Sequence, residues 1–298
     1  MIAVNSYFSG AGLFDIGLSL AGLEIKQSFE IDSVCCETQR KNFSHAVKEC
    51  DITKKLVFDE IHSDVMVATY PCTKYSTAAN LHGTRTGDDL FLHFFRHIAM
   101  QKPEVYVVEN VPGMKKFPVV MEAMSKLPDY YVSVFCPVQT EKFLPQRRDR
   151  LILIGSRKYF LWREPESTNR IKLKDILEKN PDIKIPNYVY SRLDGKYRDL
   201  PIISDPDKDD IAPTCVAHYS KDRGTRLVKD KFHSKGLRPY TTTEYARLQG
   251  VPDWFQFAGN DSQVYRQIGN GVPVVFGEWI GREIKRYFGR KYLWTKSF

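Results

Sequence analysis

Short apolar segments of strand length alternate with longer amphipathic segments through residues 1–162 of the chain. Apolar runs rich in Val, Ile, Phe and Tyr are typical of the buried strands of a parallel sheet. They predict strands at 2–8, 25–31, 65–69, 105–108, 131–135 and 151–154. The segments between them predict helices at 13–21, 33–43, 90–100 and 119–127. This alternation indicates an α/β domain with a largely parallel sheet.

The pattern decays after Trp162. Residues 163–236 are polar and rich in proline, with an acidic stretch at 205–210, and they predict a loop-rich second region. Regular patterning returns with a short helix predicted at 243–248 and a basic helix predicted at 274–288. The predicted organisation is therefore a large domain interrupted by an irregular one.

The composition fits a folded protein of one large domain, or of a large and a small one. The chain has 298 residues, of which 42% are hydrophobic and 13% aromatic. No apolar run approaches the length of a membrane span, and the first residues do not resemble a signal peptide. We therefore expect no membrane association and a cytosolic or nuclear protein. The six cysteines form no Cys-x-x-Cys pair, so neither a zinc site nor a disulfide framework is expected.

The net charge of +8 is unevenly distributed. Residues 1–100 carry 9 basic and 12 acidic residues, whereas 101–200 carry 19 and 13 and 201–298 carry 16 and 11. One interpretation is that the later part contacts a polyanion, and the other is that it simply has a solvated basic surface. The charge distribution alone does not distinguish between these two interpretations.

A glycine-containing turn joins the first predicted strand to the first helix. Gly10 and Gly12 allow the backbone to turn tightly and to approach a ligand, and Glu30 follows Gly10 by 20 residues at the end of the second predicted strand. A carboxylate in that place suits the ribose hydroxyls of a nucleoside cofactor. The next glycine is Gly17, so the spacing departs from Gly-x-Gly-x-x-Gly and argues against a dinucleotide.

Two reactive side chains follow neighbouring predicted strands. Cys72 comes shortly after the strand at 65–69, and Glu109 directly follows the strand at 105–108. The carboxyl ends of parallel strands meet at one edge of a sheet, so a thiol and a carboxylate are expected in one pocket beside the cofactor.

With these residues the chain resembles the DNA (cytosine-5)-methyltransferases, which use S-adenosyl-L-methionine. The shared motifs occur in family order, at Phe8 to Gly12, Pro71-Cys72, Glu109-Asn110-Val111, 146–150, 238–252 and 267–273. The resemblance implies a Rossmann-like class I methyltransferase sheet with a small irregular target-recognition domain, and DNA held between the two. It implies a catalytic domain at 1–162, a recognition region at 163–236 and a return to the catalytic domain at 237–298.

The resemblance also assigns the catalytic roles. Cys72 is expected to add to carbon 6 of the target cytosine, which makes carbon 5 nucleophilic. Glu109 is expected to hold and protonate N3, Arg150 to neutralise O2, and Arg148 to brace the site. Thr73 stands where the family usually has Gln, so the resemblance does not define how this loop contacts DNA.

The cofactor contacts are implied in the same way, with S-adenosyl-L-homocysteine as the product. Phe8 is expected to stack on the adenine, Gly10 and Gly12 to lie beneath the methionine portion, and Glu30 to bind the ribose. Further cofactor contacts are expected from Ile31, Asp51, Ile52, Pro71, Leu90, Asn270 and Val272.

The target base must leave the duplex to react, and the loop after Cys72 is expected to close over it. The candidate nucleic-acid contacts are Lys74, Arg85, His218, Tyr219, Lys221, Arg223 and Arg226. The expected substrate is double-stranded DNA and the expected state is a monomer. A bacterial or phage protein would act at the nucleoid in the cytoplasm, either alone or beside a separate cognate restriction endonuclease.

Two other functions remain open at this stage. The same chemistry on RNA, as in the tRNA-methylating members of the family, is compatible with the short recognition region and with Thr73. A catalytically weak nucleic-acid-binding protein on this fold is the third possibility, although a decoy has no need of Cys72, Glu109, Arg148 and Arg150 together.

Overall fold

The computed structural model describes residues 1–71, 90–166, 169–196 and 198–294, and the chain divides into two compact units. The first comprises the residues up to Val138, Asp149–Pro165 and the segment from Val274 onward. The second comprises Gln139–Arg148 and Glu166–Pro273. Residues 237–273 thus pack with the second unit. The functional division at 162 and 236 remains a prediction.

Within the described residues, the first unit contains a seven-stranded sheet. Its strands are β1 (Ala3–Tyr7), β2 (Glu24–Glu30), β3 (Ala46–Glu49), β4 (Val65–Ala68), β5 (Val105–Asn110), β6 (Tyr131–Gln139) and β7 (Asp149–Ser156). They are ordered β3-β2-β1-β4-β5-β7-β6. The pairs from β3 to β5 are parallel, and β7 runs antiparallel to β5. The prediction of a largely parallel sheet is confirmed.

The helices surround this sheet and continue through the second unit. In chain order they are α1 (Leu13–Leu20), α2 (Ser33–Asn42), α3 (Leu90–Gln101), α4 (Pro118–Ser125), α5 (Leu173–Ile176), α6 (Asn187–Asp194), α7 (Thr242–Leu248), α8 (Asp261–Asn270) and α9 (Val274–Trp294). Short 3₁₀ turns lie at Val57–Asp59, Pro112–Lys116, Thr140–Lys142, Pro206–Lys208, Tyr219–Lys221, Arg223–Thr225 and Ser234–Gly236. None of the helices in these ranges has the length and apolarity needed to cross a bilayer.

Local sequence explains where several of these elements begin and end. The Asp32 carboxylate caps α2 by accepting hydrogen bonds from the backbone N–H groups of Val34 and Cys35. Thr241 with Glu244, and Asn260 with Gln263, form reciprocal capping boxes at the starts of α7 and α8. The central strands β4 and β5 are wholly buried, which explains their uninterrupted apolar runs.

Several elements were absent from the sequence prediction, among them a strand, a helix and a small sheet. Strand β3 is a short edge strand with mostly exposed residues, so it lacks an apolar run. Helix α8 has few apolar residues, and its buried face includes Gln267 and Gly269, so the sequence marks it weakly. The second unit also contains a small sheet of β8 (Ile202–Ser204), β9 (Arg226–Lys229) and β10 (Leu237–Pro239). Strands of three or four residues are too short to produce a readable alternation.

Candidate active site at the strand ends of the first unit

The turn after β1 contains three residues with positive φ angles. Phe8, Gly10 and Gly12 have φ angles of 55°, 55° and 82°, which are favourable for glycine and costly for phenylalanine. Gly12 is the N-cap of α1, and its N–H donates to the Ser9 carbonyl at 2.9 Å. A Cβ on Gly12 would lie 2.7 Å from the Phe43 ring. The two glycines of the motif therefore shape the turn.

Glu30 links the end of β2 to this turn. Its Oε2 accepts a hydrogen bond from Gly10 N at 2.7 Å, and its Oε1 accepts from Ile31 N and Asp32 N, both at 2.8 Å. Ile31 is 67% exposed immediately beside this carboxylate. The carboxylate and an exposed apolar side chain thus stand together next to the glycine turn.

Gln39 on α2 is a contact that sequence reasoning missed. Its side-chain amide is buried and donates to Ser9 Oγ at 2.8 Å and to the Gly10 carbonyl at 2.6 Å. The turn is therefore held from both sides, by Glu30 at the Gly10 N–H and by Gln39 at the Gly10 carbonyl. A polar residue in a polar helix gives no sequence signal of such a long-range role.

An apolar wall adjoins the turn. Ile52 belongs to the buried cluster beneath β1 and β4, and the half-buried Phe8 and Leu90 pack against that cluster. The rings of Phe8 and Tyr70 meet edge to face with centroids 6.0 Å apart. Pro71, the next residue along the chain, is exposed. The predicted cofactor residues of the first unit therefore follow the carboxyl ends of β1, β2, β3 and β4, except Leu90, which begins α3.

Two sets of hydrogen bonds fix the loop that carries Asp51 and Ile52, one made by Arg96 and the other by Asp51. Arg96 on α3 donates from Nη2 to the carbonyls of Ile52 at 3.2 Å and Lys55 at 2.7 Å. The Asp51 carboxylate accepts from the hydroxyl and the N–H of Thr53, and these hydrogen bonds hold the pKa of Asp51 below its usual value. Arg96 was not singled out from the sequence, because its role depends on a contact more than 40 residues away.

Glu109 and Arg150 form an ion pair at the ends of β5 and β7. The Oε1 atom of Glu109 lies 2.7 Å from Nε of Arg150, and their side chains are only 7% and 12% exposed. The antiparallel register places Glu109 opposite Ile152, so Glu109 and Arg150 are diagonal neighbours on one face of the sheet. The first unit therefore brings together two of the predicted catalytic residues.

Asn110 connects this pair to the loop that carries the predicted nucleophile. Its side-chain amide donates to the Tyr70 carbonyl at 3.2 Å, and its Oδ1 accepts from Val111 N at 2.9 Å. Tyr70 lies two residues before Cys72. Cys72 itself, together with Lys74 and Arg85, lies outside the described residues.

Arg148 belongs to the second unit and is occupied by backbone carbonyls there. Its side chain is buried, and it donates to Cys215 O at 2.8 Å, Gly269 O at 2.9 Å and Gly271 O at 2.8 Å. These bonds tie the segment at 215 to the end of α8. Two predicted cofactor residues lie at or just after the end of α8. Asn270 is exposed and Val272 is buried.

The candidate nucleic-acid contacts in the second unit differ in exposure. His218 and Lys221 are exposed. Arg223 is half-buried and donates to Lys184 O at 3.4 Å, while Arg226 is half-buried and donates to Thr214 O at 3.1 Å.

The prediction for Tyr219 is wrong. Its side chain is completely buried, stacks on Tyr245 with ring centroids 4.7 Å apart, and donates its hydroxyl to Arg226 O. A side chain in that position has no surface to offer a nucleic acid, so Tyr219 is a core residue.

Comparisons with known proteins identify the family and the fold of this chain. The profile of the family described as C-5 cytosine-specific DNA methylase matches residues 2–286. The Type II methyltransferase M.Eco47II of Escherichia coli is 29% identical over 328 residues, covering 94% of this chain and 78% of the relative. The Type II methyltransferase M.NlaX of Neisseria lactamica is 29% identical over 306 residues, with 96% of each chain covered. The solved structure of the Entamoeba histolytica methyltransferase EhMeth has a TM-score of 0.81 at 20% identity, covering 97% of this chain and 99% of that one.

The sheet order and the glycine turn define an α/β protein with the Rossmann-like methyltransferase fold, as predicted. Because the family profile spans nearly the whole chain, the protein belongs to the C-5 cytosine-specific DNA methylases and is a DNA (cytosine-5)-methyltransferase.

Proposed function

We propose that the protein transfers a methyl group from S-adenosyl-L-methionine to carbon 5 of a flipped-out cytosine in double-stranded DNA, through a covalent adduct with Cys72. The observation that carries this proposal is the buried Glu109–Arg150 pair. Asn110, the residue next to Glu109, fixes the backbone two residues ahead of Cys72. An acid, a cation and a thiol are the groups that this reaction needs.

The residues of the first unit fit the cofactor. A Cβ at Gly10 would meet no atom within 4 Å, so the space above the turn is open to a ligand. Phe8 and Ile31 would hold the adenine between apolar side chains, and Glu30 would accept hydrogen bonds from the ribose hydroxyls. Asp51, Ile52, Pro71 and Leu90 would complete this side of the site, and Asn270 and Val272 remain proposed cofactor residues. The methionine portion would lie over Gly10 and Gly12.

The reaction begins at Cys72. Its thiolate adds to carbon 6 of the cytosine, forming an S–C6 bond and shifting electron density to carbon 5. S-adenosyl-L-methionine, when bound, would supply an electrophilic methyl group for carbon 5 and would leave as S-adenosyl-L-homocysteine. Carbon 5 then loses its proton to water, the S–C6 bond breaks, and the 5,6 double bond is restored. The thiolate is regenerated, and the proton that Glu109 gives to N3 returns to its carboxylate, so atoms and electrons balance over the cycle.

Glu109 and Arg150 would stabilise the adduct. Glu109 would bind N3 and transfer a proton to it, which discharges the negative charge that the thiolate brings to the ring. The guanidinium of Arg150 stays protonated and would offset the charge on O2. Arg148 would act indirectly, by fixing the backbone of the segments at 215 and 269–271.

The substrate and its context are proposed from the relatives. M.Eco47II and M.NlaX are named as Type II methyltransferases. We infer that this protein also methylates duplex DNA within a restriction–modification system, beside a separate cognate endonuclease. It would act as a monomer at the nucleoid of a bacterial or phage-infected cytoplasm. Residues 163–236 would read the target sequence, and 237–298 would complete the catalytic part.

Bisulfite sequencing of the DNA of an expression host tests this function. We expect protected cytosines in one defined sequence context with the wild-type protein and none with Cys72→Ala. Protection in host RNA without any protection in DNA would contradict the choice of substrate. If the protein is folded and no cytosine is protected in either DNA or RNA, the proposed activity is contradicted.

A further inference from the structure

The second unit contains a pocket of about 360 Å³ between the segment at 217–221 and α8. His218 and Lys221 line it from the segment, and Arg266 lines it from the helix. Its lining residues, all of them within the described part of the chain, include no acidic side chain. The pocket therefore presents positive charge to whatever enters it.

The two walls of this pocket are held together by the backbone. A Cβ on Gly269 would lie 2.3 Å from Ala217 N, so only glycine lets the segment pack this closely on α8. Arg148 adds hydrogen bonds to carbonyls on both walls, at Cys215 and at Gly269. At the rim, the Ser220 and Ser262 hydroxyls lie 2.8 Å apart. The pocket is consequently part of the folded unit and does not depend on a ligand to form.

The basic side chains that line the pocket reach solvent. His218, Lys221 and Arg266 are all exposed. Lys221 makes no ion pair with a described residue, and its acidic neighbour Asp222 is bonded instead to Arg192 at 2.7 Å. Ser220, Ser262 and Gln263 add hydroxyl and amide groups to the lining. Cations beside hydroxyl and amide groups are the side chains that contact phosphate oxygens in most protein–DNA complexes.

We propose that this pocket, lined by His218, Lys221 and Arg266, binds a backbone phosphate of the DNA substrate. The inference rests on the proposed function, and it assigns these residues to positioning the duplex without reading its sequence. A phosphate contact contributes a salt-dependent affinity that is the same for every sequence. The pocket then fixes the register of the DNA on the second unit, and sequence recognition must come from other residues.

The test compares Lys221→Gln, Arg266→Gln and the double variant with wild type. Lys208→Gln is the matched control, because Lys208 is an exposed cation of the same unit flanked by Asp207 and Asp209. Dissociation constants for a fluorescent duplex that contains the methylated site are measured from low to high salt. Binding of S-adenosyl-L-methionine is measured by calorimetry, and the sites modified are identified by bisulfite sequencing.

We expect the double variant to bind DNA about ten-fold more weakly near 0.1 M salt, with the slope of log Kd against log salt reduced by about one. Cofactor affinity and the methylated sequence should match wild type, and Lys208→Gln should behave as wild type throughout. A double variant whose salt slope equals that of Lys208→Gln would overturn the pocket assignment. So would a relaxed target sequence, which indicates base reading, or lost cofactor binding, which assigns the pocket to the cofactor. If the wild-type protein neither binds nor methylates duplex DNA, the result contradicts the proposed function itself, and not only the assignment of the pocket.

Discussion

Glu109 obtains both its position and its partner from strand register. It is buried at the end of β5, and Arg150 reaches it from the diagonal position on β7 at 2.7 Å. A buried carboxylate beside a permanent cation is held in place without a flexible loop. The sheet itself therefore positions the pair.

Glu109→Gln tests its role as a proton donor. Glutamine keeps the shape and a hydrogen bond but cannot transfer a proton to N3, and general acid catalysis contributes about 10²–10⁴-fold. We expect kcat for DNA methylation to fall by about that factor, while the calorimetric affinity for S-adenosyl-L-methionine stays near that of wild type. A rate within a few-fold of wild type would remove Glu109 from the mechanism.

Asp15 in α1 gives a second prediction at this scale, because it is a buried carboxyl group next to the glycine turn. Its Oδ1 accepts from Ser6 Oγ at 2.7 Å, and its Oδ2 has no hydrogen-bond partner among the described residues. Burial raises the pKa of Asp15 to about 7. In the unfolded chain an aspartate has a pKa of about 3.9. The folded protein thus holds a proton between about pH 4 and pH 7 that the unfolded chain has lost.

Stability should consequently fall as pH rises through this window and level off above about pH 7. Asp15→Asn is neutral at every pH and should lack this contribution, so its free energy of unfolding relative to wild type should rise from pH 5 to pH 8. The expected rise is up to about 3 kcal/mol, at about 1.4 kcal/mol per pKa unit. Urea denaturation of both proteins at the two pH values measures it. Parallel pH profiles for the two proteins would contradict the buried-carboxyl account.

Which residues could be predicted from sequence depends on how far their partners lie along the chain. Glu30 and Glu109 were found because each stands at the end of an apolar strand. Gln39 was missed because its partners, Ser9 and Gly10, lie about 30 residues away, and nothing local marks the contact. Tyr219 was misassigned because a tyrosine among basic residues looks exposed in sequence, whereas the fold buries it.

At the scale of elements, the glycine turn depends on a close packing between α1 and α9. A Cβ on Gly17 would lie 2.1 Å from Val274 O, and a Cβ on Gly277 would lie 2.2 Å from Phe14 O. Both contacts are with backbone, which cannot move aside. Helix α9 thereby fixes the helix that begins at the turn. The sequence predicted both helices, but their contact joins residues more than 250 positions apart and left no local sign.

Gly277→Ala tests this packing, and Gly289→Ala in the same helix is its control. Overpacking against backbone costs about 1–3 kcal/mol, so Gly277→Ala should lower the free energy of unfolding by about that amount and weaken binding of S-adenosyl-L-methionine. A Cβ at Gly289 would meet nothing within 4 Å, and alanine there should stabilise the helix by up to about 1 kcal/mol. Equal stability of the two variants in urea denaturation would contradict the proposed role of α9.

At the scale of the whole molecule, the two units differ in how well the sequence predicted them. The first unit follows the alternation of apolar strands and helices, and its sheet was predicted almost completely. The second unit is held by buried polar networks, such as Arg238 with Glu244 and Asp230, and by strands of three or four residues. Such interactions do not recur at a regular spacing along the chain. The sequence motifs therefore predicted a function for the second unit, whereas the hydrophobic pattern did not predict its structure.

The central claim is that Cys72 forms a covalent bond with the target cytosine. Duplex DNA with 5-fluorocytosine at the methylated position tests it directly, because fluorine cannot leave carbon 5 as a proton does and the adduct is trapped. With S-adenosyl-L-methionine present, wild type should give a complex that survives denaturation, and peptide mapping should place the DNA on Cys72. Cys72→Ala should give no such complex and no turnover. An adduct that persists in Cys72→Ala, or a wild-type enzyme that methylates cytosine but traps no 5-fluorocytosine duplex, would contradict the account.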